Sequence, residues 1–249
     1  MKRRYFIYLS FNGASFHGWQ IQPNGNSVQE ELEKALGILL QQKTSVMGAG
    51  RTDAGVHAKC MIAHFETDKN IVIDKLKFNL NNVLSSFISI KDVREVKPDF
   101  HARFDALSRT YNYVITPQKD PFQSEFSHQY TKKIDVELMN EAAKLLLGER
   151  DFSCFSKSKT QTFTNNCDLQ KAEWREEAGL FVFEIRANRF LRNMVRAIVG
   201  TLLEVNEGKR TIESIPALLD SKNRSEAGVS VPAKGLFLVD IEYPSAGFI

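Results

Sequence analysis

Apolar and polar residues alternate with period two over residues 5–11. Tyr5, Ile7, Leu9 and Phe11 fall on one side and Phe6, Tyr8 and Ser10 on the other, which predicts a strand. A turn-rich stretch follows through Gly13, Gly18, Pro23 and Gly25. Ser27-Val28-Gln29-Glu30 then has the S-x-x-E form of a capping box, in which serine oxygen and glutamate satisfy each other's orphan amides. A helix is predicted over residues 28–41, burying Leu32, Leu36 and Leu39. Residues 44–47 read as a short strand stopping at Gly48, and residues 58–66 are again apolar and extended. Residues 74–84 place Leu76, Leu80 and Leu84 at the four-residue spacing of a helix.

The second half repeats the order: strand 109–116, helix 136–147, strand 180–187 and helix 190–205. Asp135 is placed to cap the first of these helices, and Gly148 to end it in the left-handed conformation. Helices packed on one face of a largely antiparallel sheet suit this alternation, which makes the chain α+β. We divide it into residues 1–105 and 106–249, after the 98–104 segment, although no Gly/Ser-rich linker marks the boundary.

Composition narrows the class. With 43% hydrophobic and 25% charged residues, the chain has the make-up of a folded protein, far from the disordered corner. Its most apolar run, 194–205, is interrupted by Arg196 and closed by Glu204, so it falls short of the roughly 18 residues that a membrane span needs. No membrane association is expected. The basic start mimics a short signal peptide but lacks a small-x-small cleavage site, and a first strand in a cytoplasmic protein is the better reading. Three cysteines, at 60, 154 and 167, form no C-x-x-C pair and read as buried thiols in a reducing compartment. A net charge of +3 argues only weakly for an acidic partner, so the placement of the arginines matters more than their sum.

The densest unusual segment is Gly48-Ala49-Gly50-Arg51-Thr52-Asp53-Ala54-Gly55-Val56-His57-Ala58. As a dinucleotide fingerprint it fails, because a third glycine is needed where Asp53 stands and a carboxylate there repels a pyrophosphate. As a phosphate-binding loop it fails as well, since Val56-His57 replaces the Lys-Ser/Thr pair. No nucleotide cofactor is expected. A plain structural turn accounts for the glycines. What remains is an acid on a tight loop with Arg51 two residues before it. Two unit charges about 4 Å apart interact by roughly 4 kcal/mol at an effective dielectric near 20, enough to offset partial desolvation of an ionised acid.

Arg189, Arg192 and Arg196 fall within about 60° of one another on a helix advancing roughly 100° per residue, opposite Leu191, Met194, Val195, Ile198 and Leu202. A solvated face is the bland reading. Against it, residues 188–203 hold arginines and neither an acid nor a lysine, whereas a merely soluble face mixes signs to gain i,i+4 pairs. Arginine forks suit phosphate and carboxylate. Tyr111 and Tyr113 share one face of a strand and read as core. His57, Cys60 and His64 do not suggest a metal, because residues three apart on a strand point to opposite faces. His17, His101 and His128 read as hydrogen-bonded or surface histidines, and no metal site is expected.

The run Gly50-Arg51-Thr52-Asp53-Ala54-Gly55-Val56-His57 resembles the signature of the tRNA pseudouridine synthase A family. Further matches lie in order: Gly18-Trp19-Gln20, Ser27-Val28-Gln29, Phe100-His101-Ala102-Arg103-Phe104, Arg109-x-Tyr111-x-Tyr113, Leu147-Gly148-Glu149, Asp151-Phe152, Asn193-Met194-Val195-Arg196 and Gly235-Leu236. The resemblance implies two α/β subdomains joined around a central RNA-binding cleft, the pseudouridine synthase fold, with the catalytic loop in the first and the arginine helix in the second. It implies an isomerase that converts uridine to pseudouridine at positions 38 to 40 of the tRNA anticodon stem-loop, without a cofactor, by flipping the base out. Asp53 is then the catalytic carboxylate, attacking ribose C1′ or C6 of the base, or removing the C2′ proton. Arg196 pairs with it, and Arg51 assists in flipping. Tyr111 lies beside the target base and Leu236 walls its pocket, while Arg103, Arg189 and Arg192 contact RNA. The resemblance further implies a homodimer that holds tRNA on a joint basic surface. Two positions depart from the pattern, His17 where an aromatic is frequent and Arg189 where a small residue is frequent, and both bear on the RNA footprint before the chemistry. The competing readings are a noncatalytic RNA-binding or RNA-chaperone module, and a phosphate-transfer enzyme that would bind ATP or GTP.

Overall fold

The computed structural model describes residues 2–23, 25–157 and 164–249, leaving Met1, Asn24 and 158–163 outside the description. In chain order the elements are β1 (Arg3–Phe11), α1 (Val28–Leu40), β2 (Val46–Gly48), β3 (His57–Thr67), α2 (Ile73–Val83), β4 (Ile88–Val96), β5 (Ser108–Thr116), β6 (His128–Gln129), α3 (Val136–Lys144), β7 (Gly148–Asp151), β8 (Asn166–Glu177), β9 (Leu180–Ala187), α4 (Met194–Asn206), α5 (Ser214–Ser221) and β10 (Leu236–Glu242). The fold is α+β. The chain forms two compact units, one of Met1–Leu107 with Leu238–Ile249 and one of Ser108–Phe237, and β10 carries it from the second back to the first.

In the first unit the strand order is β4-β1-β3-β10, with β2 alongside β3. β1 lies antiparallel between its neighbours, pairing Ile7 with Ala63 on β3 and with Val93 on β4. Period two therefore sends Tyr5, Ile7 and Leu9 to one face, all buried, where α1 brings Leu32 and Leu36 and α2 brings Leu76 and Leu80. Ser27 caps α1 through its hydroxyl, which accepts the Glu30 N–H at 3.3 Å, while the Glu30 carboxylate holds Lys34 at 2.9 Å. The helix ends one residue earlier than its pattern suggests, at Gln41 in the left-handed region (φ +52°), and Leu40 rather than Leu39 completes the buried stripe.

The opposite face of β1 is closed by aromatics. Phe6 stacks on Phe100 with centroids 5.0 Å apart and meets Tyr243 and Phe248 edge-on. Beside this cluster His64 accepts the Ala102 N–H at 3.0 Å through Nδ1, and His101 Nδ1 accepts the Arg103 N–H at 3.0 Å. Both imidazoles act as acceptors, so both are needed neutral.

In the second unit the order is β5-β9-β8-β7, antiparallel throughout, with the short β6 parallel to β5. Trp174 on β8 stacks on Phe183 of β9 at 4.9 Å, under α3, which is capped as expected by Asp135 accepting the Leu138 N–H at 3.0 Å. Among the described residues no helix is long and apolar enough to cross a membrane, and no group of three or more His, Cys, Asp or Glu side chains gathers as metal ligands. Cys154 and Cys167 are buried, which pushes their thiols up to about 12 and about 11, whereas Cys60 is only half-buried.

The neutral histidines give a pH dependence. Burial, with Arg4 and His101 nearby, holds His64 down at about 4 against an ordinary 6.5, so between these values the unfolded chain binds a proton that the folded chain does not. The stabilisation is complete above the ordinary value and drains away as pH falls toward about 4. His64→Gln, which keeps an acceptor and does not titrate, should flatten that limb of the stability curve. Urea melts from neutral to mildly acidic pH read it, and an unchanged slope would assign the acid sensitivity elsewhere.

Candidate active site

Asp53 lies on the loop of residues 49–56 that joins β2 to β3. Backbone hydrogen bonds tie this loop to segments distant in sequence: Ala49 N–H to the Ile62 carbonyl at 2.8 Å, Trp19 N–H to the Thr52 carbonyl at 3.3 Å, and Gly55 N–H to the Phe16 carbonyl at 3.4 Å. Inside the loop Val56 N–H closes on the Asp53 carbonyl at 3.2 Å. His57 Nδ1 accepts the Gly13 N–H at 3.1 Å, so the segment 12–19 clamps the loop along its length. Gly18 is required where it stands. Its φ is +97°, and a Cβ there would lie 2.4 Å from the Thr52 carbonyl oxygen.

The clamp is itself fixed by the start of α1. The first amides of a helix have no partner inside it. Here Val28 N–H donates to the Gly18 carbonyl at 3.3 Å and Gln29 N–H to the Trp19 carbonyl at 3.0 Å. The Gln29 side chain continues to the Val46 carbonyl at 3.0 Å, and Glu33 accepts the Val46 N–H at 2.9 Å, which anchors the strand leading into the loop. Thr52 points inward and is buried, Asp53 is half-buried, and Arg51 and Ala54 are exposed. A carboxylate placed so has a backbone that cannot swing and a side chain that solvent still reaches, which suits a nucleophile or base. Arg103 is exposed on the separate 101–104 turn of the same unit, its guanidinium 5.7 Å from the Phe104 ring.

The second unit carries the remaining candidates. Tyr111 is half-buried, and Phe190 meets it edge-on with centroids 5.2 Å apart, whereas Tyr113, on the same face of β5, is wholly buried. Leu236 is buried where β10 begins. Arg196 stands on the first turn of α4. Its Nε donates to the Val231 carbonyl at 2.7 Å, and the Val231 N–H donates back to the Arg196 carbonyl at 3.2 Å. The chain approaching Val231 lies along the same face of α4, where Gly228 N–H reaches Thr201 Oγ1 at 2.9 Å and Asn193 reaches Ser230 Oγ at 2.6 Å. Arg224 fastens this strap through the Ala227 and Gly228 carbonyls and Ser230 Oγ. The strap and Arg224 escaped the sequence reading. Their only local signal is Pro232 after an alternating Val229-Ser230-Val231.

One expectation is corrected. Arg189, Arg192 and Arg196 do not share a helix, because α4 starts at Met194 and Asn193 before it is left-handed, at φ +68°. A residue in that conformation cannot continue a right-handed helix. Half-buried Arg189 and exposed Arg192 belong to the segment that leads into α4. Arg109 holds that segment through the Asn188 carbonyl at 2.8 Å, and the Arg192 carbonyl accepts the Lys157 N–H at 3.0 Å.

The clamp makes a prediction. Gly18→Ala forces a side chain into an unfavourable φ and against the Thr52 carbonyl, and should destabilise the protein by about 1–3 kcal/mol. Urea melts measure this, and hydrogen exchange should show faster opening of the Val56 amide. A wild-type midpoint would show that the clamp can yield without cost.

The family model described as tRNA pseudouridine synthase matches residues 8–105 and 142–244. The chain is 52% identical to a tRNA pseudouridine synthase A of Parabacteroides distasonis, over 99% of this chain and 98% of that one. It is 51% identical to the protein of the same description from Bacteroides thetaiotaomicron, over 97% and 91%. A chain in a crystal structure of a Cbf5-Nop10-Gar1 complex superposes with a TM-score of 0.37 at 11% identity, over 92% of this chain and 50% of its own, too slight a likeness to bear on the fold. Matched through both of its halves and half-identical to relatives over nearly their full length, this chain belongs to the tRNA pseudouridine synthase family, isomerases that convert uridine in tRNA to pseudouridine.

Proposed function

We propose that this chain isomerises uridine at positions 38, 39 and 40 of the tRNA anticodon stem-loop, with Asp53 as the group that acts on the nucleoside. The observation that carries the reading is the Asp53 loop itself, a half-buried carboxylate on a backbone tied at Ala49, Thr52 and Gly55 to other parts of the fold. Such a group reaches its target already oriented and loses little freedom in the reaction.

The reaction breaks the bond from uracil N1 to ribose C1′ and forms one from C5 to the same carbon, while N1 gains a proton and the C5 proton passes to solvent. No electron is gained or lost. Asp53 starts it by attack on C1′ or C6, or by removing the C2′ proton. A stacked uridine is beyond its reach, so the nucleotide is flipped out at a cost of a few kcal/mol, with Arg51 filling the vacated space or holding the displaced phosphate. Arg196 pairs with the carboxylate and keeps it ionised. Tyr111 stacks on the freed uracil, Leu236 walls the pocket in which it turns over, and Arg103, Arg189 and Arg192 hold the RNA backbone. In this reading residues 1–105 supply the acid and residues 106–249 the arginine that answers it. The enzyme works in the cytoplasm as a homodimer that binds tRNA on a joint basic surface.

Tritium at uridine C5 of an unmodified tRNA transcript tests the reaction, since turnover releases it to water. Asp53→Asn should leave the fold and tRNA affinity in place and cut release by at least about a thousandfold. Substituting cytidine at positions 38 to 40 should abolish release by the unaltered protein. Wild-type release from Asp53→Asn would remove Asp53 from the chemistry. A folded, tRNA-binding wild-type protein that releases nothing would favour a noncatalytic RNA-binding role.

A further inference from the structure

The reading above gives Tyr113 no part in the reaction. A buried phenol must find a partner, and that of Tyr113, wholly buried on β5, donates to the Pro232 carbonyl at 2.9 Å. Burial drives this hydroxyl far above the ordinary phenol range, so it stays a donor at neutral pH. Pro232 follows Val231, the residue that exchanges two hydrogen bonds with Arg196. The contact with Tyr113 is also shaped for the chain that crosses it. A Cβ on Gly235 would come 2.9 Å from Tyr113 Cζ and 2.9 Å from the Val114 carbonyl oxygen, so only glycine lets the segment lie against the ring. Lys234 ties the same segment to the Ser124 carbonyl at 2.7 Å.

We propose that Tyr113 is a positioning residue whose hydroxyl, through the Pro232 carbonyl, fixes the 231–235 segment and thereby sets the plane of the Arg196 guanidinium. The proposal rests on the reading of Arg196 as the partner of Asp53. The Nε bond to Val231 makes the plane of the fork follow that carbonyl, and a planar fork recognises a carboxylate only in a narrow range of orientations. A small swing of Val231 therefore misaims the remaining guanidinium donors.

Tyr113→Phe removes one oxygen and keeps the ring under Gly235. It should lower kcat for tritium release by about tenfold while KM for tRNA stays within about twofold, because the loss falls on orientation and not on RNA binding. A double-mutant cycle with Arg196→Lys separates this role from a structural one. Lysine has no planar fork to orient, so Tyr113→Phe should add no further loss in that background. Unchanged kcat in Tyr113→Phe, or losses that multiply in the double variant, would overturn the proposal. If Tyr113→Phe fails to fold by circular dichroism, Ser230→Ala loosens the same strap and takes its place in the cycle, with the same two outcomes. Wild-type turnover in Arg196→Ala would instead sink the role of Arg196, and this proposal with it. Failure of Tyr113→Phe alone leaves Arg196 standing.

Discussion

Two carbonyls, those of Gly18 and Trp19, receive the first amides of α1, and the placement of Asp53 depends on that contact. Helix starts are ordinarily finished by a side-chain cap and by water. In this chain the segment that finishes the helix also presses on the Asp53 loop, through the Trp19 N–H and the Phe16 carbonyl. Groups that α1 would otherwise leave to solvent thus become the means of fixing a loop far along the chain. Each bond contributes only about 1 kcal/mol net. Their effect on the loop comes from number and direction, since a backbone held from several sides leaves the carboxylate only its own side-chain rotations. The Gly-Trp-Gln and Ser-Val-Gln motifs thereby gain a physical meaning, as a scaffold for the loop that carries the acid.

The second unit uses the same device on a different group. Arg196 is held by main chain rather than by an acid at its Nε, and that main chain is held by Tyr113, Arg224, Thr201 and Asn193. A side chain with many rotamers pays heavily to be ordered at the moment of binding, and ordering it in advance removes that cost from the reaction. Arginine tolerates the arrangement because its donors are separable, and the Nε held by main chain is distinct from those on the terminal nitrogens.

Local features of the fold were legible in the sequence, and those set by distant partners were not. The Ser27 and Asp135 caps depend on residues three apart, and the alternation of β1 on one strand alone, so a short window contains all the information. The start of α4 is not legible in the periodicity, which runs back through Leu191, because the left-handed conformation of Asn193 is not encoded in it. β8 is hard to read because a bulge between Leu169 and Lys171 shifts its buried positions from Cys167 and Leu169 to Ala172 and Trp174, and no single two-residue pattern runs through the strand. Gly18 reads in the sequence as a turn residue and as part of the Gly18-Trp19-Gln20 motif, with no sign of what it touches. Its reason for being glycine is the Thr52 carbonyl, many residues away. Asp53 stood out through the density of its motif and the family resemblance, and nothing local to it announces the clamp.

Why the strap should be built on Tyr113 rather than on an apolar residue follows from Pro232. A proline lacks an N–H, so the segment cannot be secured there by a backbone ladder and has only its carbonyl to offer. A phenol supplies that carbonyl with a donor while filling the space beneath with an apolar ring. Proline in turn keeps its φ fixed, so the carbonyl of the preceding Val231 is aimed by a stiff neighbour rather than a flexible one. The hydroxyl, the proline ring and the glycine at 235 each remove one freedom from the segment whose Val231 carbonyl receives the Arg196 Nε.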